Sequence, residues 1–266
     1  MYTLGIDIGS TTSKCVILED GSKIIAKSLV QAGTGTDGPE RAYNEILDAS
    51  KLKKEDIAHI VATGYGRAIY TSANADMSEL SCHAKGVHFL FPDVRTIIDI
   101  GGQDAKVIRL NQQGIIDSFL MNDKCAAGTG RFLDVMANIL QISINELEVY
   151  ASKADNPVKI SSTCTVFAES EVISQLAKGV TIENVVAGIC ESVASRVAAL
   201  AKRNRVEEKV YMSGGVAQNA GVRNALAKEL GTEILFSEYS QYMGALGAAI
   251  AAYEKWRKET GGKDHE

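Results

Sequence analysis

The fold is decided by a polar loop near the start of the chain, Asp7-Ile8-Gly9-Ser10-Thr11-Thr12-Ser13-Lys14. The loop ends the apolar run Tyr2–Ile8 and leads into the apolar residues 15–18, so the sequence predicts a strand, a tight loop and a second strand. Glycine lets a backbone approach a ligand closely, and the loop N–H groups, the hydroxyls and Lys14 are donors that suit phosphate. Asp7 is placed to hold Mg²⁺ through water. A plain hairpin with a polar tip would explain the same residues.

A second copy of this pattern decides between the two interpretations. Residues 99–110 align with residues 7–18 at a constant offset of 92, and the Asp, Ile, Gly, Lys and Leu positions coincide. Each copy follows an apolar strand and continues into another strand, which predicts two related halves. Two phosphate loops would then serve one nucleotide. Between the copies, residues 57–63 predict a further strand. The first loop lacks the Walker lysine pattern.

A glycine pair near the end of the chain supplies a third element. The motif Ser213-Gly214-Gly215-Val216 follows a short predicted strand at residues 209–212. A glycine pair lets the backbone lie against a flat ring or a ribose, so the expected nucleoside contacts are Gly214, Gly215 and Val216. Gln241 is a further expected nucleoside contact. The expected phosphate contacts are Ser10, Thr11, Thr12, Ser13, Lys14, Gly101, Gly102 and Gln103. Asp7, Asp99 and Gln103 are the expected catalytic residues, with both aspartates near Mg²⁺, because positioning and charge stabilisation suffice for phosphoryl transfer.

Two of the five cysteines precede predicted helices. Cys125 lies between the strand-like residues 115–121 and apolar residues at helical spacing, and Cys164 lies between the strand-like residues 158–161 and a second helical pattern. A helix N-terminus stabilises a thiolate, so both positions suit a metal–thiolate site. An iron–sulfur cluster usually needs four thiolates, which would require a symmetric dimer. The alternative is that both cysteines are small buried apolar residues, as expected for Cys15, Cys82 and Cys190.

Composition bounds the class of protein. The chain has 266 residues, 45% hydrophobic content and a net charge of −5, which predicts a sizeable core divided between two domains. The absence of a Lys/Arg block argues against a nucleic-acid surface, and we expect no membrane-spanning run and no signal peptide. A cytoplasmic, reducing location follows. An odd number of cysteines then indicates thiol chemistry or burial more than a disulfide framework.

The three glycine loops together resemble the phosphate and adenosine motifs of the superfamily of actin, sugar kinases and the heat-shock chaperone ATPase domain. Three motifs are more specifically similar to the activator of 2-hydroxyacyl-CoA dehydratases, related to the ATPase subunits of benzoyl-CoA reductase. They are Asp99-Ile100-Gly101-Gly102-Gln103-Asp104, Lys124-Cys125-Ala126-Ala127-Gly128-Thr129-Gly130-Arg131-Phe132 and Cys164-Thr165-Val166-Phe167-Ala168-Glu169-Ser170-Glu171. The resemblance implies an α/β, duplicated actin-like (ribonuclease H-like) ATPase fold. Domain I would comprise residues 1–95 plus 241–266, and domain II residues 96–240 with the cluster cysteines.

The resemblance also implies a function. Members of that family are cytoplasmic homodimers of anaerobes that share one 4Fe-4S cluster and use ATP to pass a low-potential electron to a dehydratase. The ligands carried over are Cys125 and Cys164, and the implied electron donor is ferredoxin or flavodoxin. The alternatives are a small-molecule (sugar-type) kinase with Asp104 as base, the ATPase subunit of an acyl-CoA reductase, and a nucleotide-gated scaffold like actin. The cysteine pair argues against the kinase.

Overall fold

The computed structural model describes residues 1–161 and 164–261, which form two compact units. Unit 1 contains Met1–Asp93, Gln112–Ile116 and Gln241–Glu266, and unit 2 contains Val94–Asn111 and Asp117–Ser240. The short segment Gln112–Ile116, which the sequence placed in domain II, groups with unit 1.

Unit 1 is built on a five-stranded mixed sheet. Its strands are β1 (Tyr2–Ile8), β2 (Ser13–Glu19), β3 (Lys23–Val30), β4 (Ile57–Thr63) and β5 (Ala75–Asp76), in the order β3-β2-β1-β4-β5. Strand β1 runs antiparallel to β2 and parallel to β4. The buried apolar runs of β1 and β2 account for this central position, because strands covered on both faces carry continuous rather than alternating hydrophobic residues.

Unit 2 repeats the same arrangement. Its strands are β6 (Thr96–Ile100), β7 (Ala105–Leu110), β8 (Ile116–Asn122), β9 (Val210–Ser213) and β10 (Ile234–Leu235), in the order β10-β9-β6-β7-β8. Strand β6 runs antiparallel to β7 and parallel to β9, as β1 does with β2 and β4. Register is repeated too, since Asp7 lies opposite Lys14 and Asp99 lies opposite Lys106. The predicted duplicated α/β fold is confirmed.

Helices cover the two sheets. They are α1 (Gly38–Ser50), α2 (Glu79–Leu90), α3 (Gly130–Leu140), α4 (Leu147–Ala151), α5 (Thr165–Ala177), α6 (Ile182–Arg203), α7 (Ala220–Leu230) and α8 (Met243–Thr260). In unit 1, α8 packs against β1, β4 and α2. This packing is close because Gly5 has no side chain, and a Cβ there would overlap the backbone of α8 at Ala245.

The core of unit 2 joins its sheet to three helices. Phe132 of α3, Val172 of α5 and Ile189 of α6 are fully buried in one apolar cluster with Ile98 of β6. A close-packed interior transmits strain, so a displacement of one of these elements should displace the others.

The prediction of a strand before Cys164 is wrong. Residues 158–161 form no strand, because the N–H of Val158 donates to the carbonyl of Asn184 at 3.1 Å, in the first turn of α6, rather than to a neighbouring strand. The adjoining Ser162 and Thr163 lie outside the described residues.

One helix in the described part of the chain, α6, is apolar and long enough to cross a membrane by length and composition. However, 72% of its most apolar window is buried within the protein, as in a core helix. The same helix contributes Ile189 to the cluster that packs against the sheet of unit 2.

Candidate functional site

The loop between β1 and β2 is a tight turn held by backbone hydrogen bonds. The N–H of Gly9 donates to the carbonyl of Thr12 at 2.9 Å, and the N–H of Thr34 donates to the carbonyl of Gly9 at 2.9 Å. A Cβ on Gly33 would lie 2.5 Å from that Gly9 oxygen, so only glycine allows the approach. Ser10 and Thr12 are half-buried at the tip, and Thr11 is exposed. The donors of this loop are therefore within reach of a ligand.

The hydroxyl of Ser13 is engaged within the protein. Its side chain is fully buried, and its hydroxyl donates to the carbonyl of Ala32 at 2.8 Å. The hydroxyl thus ties the loop to the chain that follows β3. Lys14 is half-buried and forms an ion pair with Asp7, with 3.2 Å between Nζ and Oδ2.

Asp7 presents one carboxylate oxygen that no described group satisfies. The residue is 4% exposed, and within the described residues Oδ1 is buried without a hydrogen-bond partner. Gly64 leaves this oxygen open, because a Cβ at that position would overlap Oδ1. The φ of Gly64, +85°, also suits glycine rather than a residue with a side chain. A buried, unsatisfied carboxylate oxygen is costly. A hydrated Mg²⁺ would satisfy it, since that ion is usually held by one or two carboxylates and several waters.

Asp99 occupies the equivalent position in unit 2 but is engaged on both oxygens. It is 2% exposed, its Oδ1 accepts from Ser213 Oγ at 2.8 Å, and its Oδ2 lies 3.4 Å from Lys106 Nζ. Lys106 also pairs with Asp104 at 2.8 Å. The two aspartates, which the sequence treated alike, therefore differ: Asp7 offers an open oxygen, and Asp99 is fixed by a lysine and a serine.

The loop after Asp99 is bonded directly to the start of α3. The N–H of Gly130 donates to the carbonyl of Gly101 at 2.8 Å, and the N–H of Arg131 donates to the carbonyl of Gly102 at 2.8 Å. Gln103 is exposed at the tip of the same loop. A helix N-terminus has N–H groups without partners inside the helix, and here two of them bind the expected phosphate loop. This connection has no signature in sequence spacing.

The third glycine loop lies beside the end of β6. Gly214 has a φ of +84°, its N–H donates to the carbonyl of Ser240 at 3.0 Å, and a Cβ there would overlap the carbonyl of Ile100. Gly215 is exposed and Val216 is buried. Gln241, the remaining expected nucleoside contact, groups with unit 1 and is half-buried.

A stacked pair of side chains near this loop was not predicted from the sequence. The Arg223 guanidinium lies 3.6 Å from the centroid of the Phe236 ring, and its side chain also donates to the carbonyl of Ala217. The ring is 46% exposed. Flat cationic and aromatic surfaces of this kind stack well on other rings. No spacing rule brings a residue of α7 together with one after β10, so only the fold reveals the pair.

The five cysteines fall into two groups. Cys15, Cys82 and Cys190 are buried, and burial raises the pKa of the Cys82 and Cys190 thiols to about 12 and raises the pKa of Cys15 as well. Cys125 and Cys164 are exposed. Both exposed cysteines belong to unit 2. This donor set fits a thiolate-bound metal group, because exposed thiols are accessible for ligation and buried ones stay protonated.

Only one of the exposed cysteines lies at a helix start. Cys164 is the N-cap of α5, as expected. Cys125 is not at the start of α3, whose N-cap is Thr129. The backbone turns first, because Gly128 has a φ of +90° and the N–H of Thr129 donates to the carbonyl of Ala126 at 3.0 Å. Cys125 therefore sits on a loop that precedes the helix.

A distant solved structure shares the fold alone. A ROK family glucokinase from Streptomyces griseus, in complex with glucose and AMPPNP, has a TM-score of 0.58 and 13% identity over 96% of this chain and 100% of its own. This likeness agrees with the predicted duplicated actin-like fold.

Two much more similar proteins identify the family. The (R)-2-hydroxyglutaryl-CoA dehydratase activating ATPase of Acidaminococcus fermentans is 59% identical over 97% of this chain and 99% of its own. A solved structure, the activator of the 2-hydroxyisocaproyl-CoA dehydratase from Clostridium difficile with bound ADPNP, has a TM-score of 0.97 and 52% identity over 100% of this chain and 99% of its own. The family model of the BadF/BadG/BcrA/BcrD ATPases matches residues 4–252. The chain therefore belongs to the BadF/BadG/BcrA/BcrD ATPase family.

Proposed function

We propose that this protein is an ATP-hydrolysing reductive activator, which uses ATP to transfer a low-potential electron from a 4Fe-4S cluster, shared by two copies of the chain, to a 2-hydroxyacyl-CoA dehydratase. One observation carries the proposal. The two exposed cysteines lie in the unit whose expected phosphate loop is hydrogen-bonded to the helix after Cys125. A nucleotide-dependent element and a metal–thiolate element would thus be parts of one structure.

Binding of ATP follows from membership of the ATPase family, and the glycine loops would supply the contacts. Residues 10–14 of unit 1 and 101–103 of unit 2 would bind phosphate, and residues 214–216 with Gln241 would bind the nucleoside. Mg²⁺ would be held through water at Asp7, whose Oδ1 is buried without a partner among the described residues. Asp99 and Gln103 would orient the γ-phosphate and the attacking water. Positioning and charge stabilisation of this kind are sufficient for phosphoryl transfer.

The cluster would be held by Cys125 and Cys164 of each chain. Two ligands per chain leave the set of four thiolates incomplete, so the site requires a homodimer. When bound, the cluster would store one electron at low potential. The chain itself would supply the thiolates and the N-terminus of α5, whose partial positive charge favours the more negative, reduced cluster.

The partner is inferred from relatives that are named as activators of different dehydratases, one for 2-hydroxyglutaryl-CoA and one for 2-hydroxyisocaproyl-CoA. We therefore propose the class, a 2-hydroxyacyl-CoA dehydratase, and not one substrate. Ferredoxin or flavodoxin is the proposed donor, and the cytoplasm is the proposed location. The sugar-type kinase is disfavoured, because its candidate base, Asp104, is held in an ion pair with buried Lys106.

Anaerobic purification followed by iron and acid-labile sulfide assays tests the proposal. The expected result is a brown dimer with about four iron and four sulfide per two chains. Colourless, iron-free protein from anaerobic cells, after an attempted reconstitution, would overturn the redox function and favour a kinase.

A further inference from the structure

The Cys125 loop packs on α6, where one basic side chain lies against it. The Cβ of Arg196 is 3.5 Å from the position that a Cβ on Gly128 would occupy. The Arg196 guanidinium lies 5.6 Å from the centroid of the Phe132 ring, in the first turn of α3. Arg196 therefore spans from the cysteine loop to the start of the helix that follows it.

The surroundings of Arg196 hold its side chain beside the cysteine loop and partly away from water. The side chain is half-buried and lines a cavity of about 290 Å³ together with Asn122, Gly128 and apolar side chains of β8 and α6. Burial lowers the pKa of the Arg196 guanidinium, and the nearby Cys125 raises it. A guanidinium stays protonated even when partly buried, so this position carries a permanent positive charge.

We propose that Arg196 is a positioning residue that sets the reduction potential of the cluster held at Cys125. The inference rests on the proposed function, because it concerns the same cluster. A cluster gains one negative charge when it accepts an electron, and a fixed positive charge nearby stabilises that form and raises the potential. Arg196 would thereby make the resting cluster reducible by its donor, before any nucleotide-driven change.

Two other basic residues near the loop do not share this property. Lys124, next to Cys125 in sequence, is exposed, so water and salt screen its charge. Arg203 lines the same cavity from the end of α6 but is also exposed. Arg203 is thus a matched control for removal of one arginine charge from the same helix and cavity.

The experiment compares cluster potentials in anaerobically reconstituted dimers. Arg196→Met keeps the apolar stem but removes the charge, and Arg196→Lys keeps the charge. In Arg196→Met we expect the reduced-to-oxidised ratio at a fixed ambient potential to fall about tenfold, which is about 59 mV for one electron. Arg196→Lys should retain most of the wild-type potential, and Arg203→Met should equal the wild type. Potentials are read from the visible absorbance and the electron paramagnetic resonance signal during a redox titration.

Iron content and basal ATP hydrolysis separate a change of potential from loss of the cluster. Both should stay at the wild-type level in every variant. Suppose that Arg196→Met with full iron content has the wild-type reduction potential, or that Arg196→Met and Arg196→Lys shift the potential equally. Either result would refute the proposed role of the Arg196 charge without affecting the proposal that a cluster is bound. If Arg196→Met does not fold, Arg196→Gln replaces it in the comparison with Arg196→Lys. Equal reduction potentials in Arg196→Gln and Arg196→Lys would then refute the role of the charge. Failure of the wild type to bind iron would instead refute the proposed function.

Discussion

At the scale of single residues, the aspartates of the two repeated loops share a register position but not a chemical state. Asp7 has one buried oxygen without a partner among the described residues, whereas Asp99 is bound by Ser213 and Lys106. A metal ion and its waters fit the first environment. The second environment fits a carboxylate whose position is fixed in advance, as preorganised catalysis requires.

Replacing each aspartate by alanine separates these roles. Asp7→Ala should abolish ATP hydrolysis by removal of the Mg²⁺ anchor, with the iron content unchanged. Asp99→Ala should also abolish hydrolysis and should lower the free energy of unfolding by about 1–3 kcal/mol, because the buried Ser213 hydroxyl and the buried Lys106 ammonium each lose this acceptor. Phosphate release, iron assays and urea unfolding measure the three properties. Asp48→Asn, at an exposed position of α1, is the control. Normal turnover in Asp7→Ala would show that the metal assignment is wrong.

The cysteines give a second prediction at the residue scale. Cys125→Ala and Cys164→Ala should each abolish iron binding, because two-fold symmetry removes two of about four ligands at once. The buried cysteines provide three matched controls in the same chain, and each should keep its iron when changed to alanine: Cys15, Cys82 and Cys190. Iron and sulfide assays on the anaerobic dimers measure the outcome. Iron retained by Cys125→Ala would mean that the ligands are wrongly chosen.

At the scale of elements, glycines decide how closely the loops approach the buried carboxylate. Gly64→Ala should weaken binding of Mg²⁺ and an ATP analogue by more than about tenfold, because its Cβ would overlap Asp7 Oδ1 and its φ of +85° disfavours a side chain. Titration calorimetry measures the affinity. Gly35→Ala is the matched control. Gly35 has a similar φ of +79° but no atom within 4 Å of the added Cβ, so the substitution strains the backbone without a steric clash. Equal affinities in the two variants would exclude the clash as the cause.

Elements also show which parts of the structure a sequence can predict. The bounds of β1 and β4 match the predicted strands, because buried central strands are continuous apolar runs that end in glycine loops. Residues 158–161 have a similar strand-like composition but bind the start of α6, and composition does not specify a hydrogen-bond partner. The turn at Cys125 was predicted, but the helix was expected to start at the cysteine, and the positive φ of Gly128 delays that start to Thr129.

At the scale of the whole molecule, duplication made the fold predictable. Two loops related by a constant offset implied two related halves, and the strand orders of both units agree. The connection between the second loop and α3 was not predictable, because it joins the carbonyls of Gly101 and Gly102 to N–H groups far along the chain, at Gly130 and Arg131. Such a connection provides a physical route from the proposed phosphate loop to the segment that carries Cys125.

That route yields the last prediction, which concerns the effect of nucleotide on the cluster. Gly101 and Gly102 accept hydrogen bonds from the first turn of α3, and α3 and α5 share one buried core. We therefore expect a shift of the proposed phosphate loop to be transmitted to both cysteine-bearing segments. In reduced protein, a non-hydrolysable ATP analogue should expose the cluster and lower its potential relative to ADP, by moving the N-terminus of α5 away from it. Iron loss to a chelator and the cluster potential measure the two effects.

The size of the effect is limited by the difference in affinity of the nucleotides for the two arrangements, since a ligand that binds both equally shifts neither. Asp7→Ala supplies the control, because without its metal anchor the analogue should act no differently from ADP. A difference that persists in Asp7→Ala would mean that the nucleotide acts elsewhere. Identical chelation rates and cluster potentials with both nucleotides in the wild type would be compatible with the proposed ATPase activity and the proposed cluster. They would refute coupling through α3, because the hydrogen bonds at Gly130 and Arg131 would then not link nucleotide binding to the cluster.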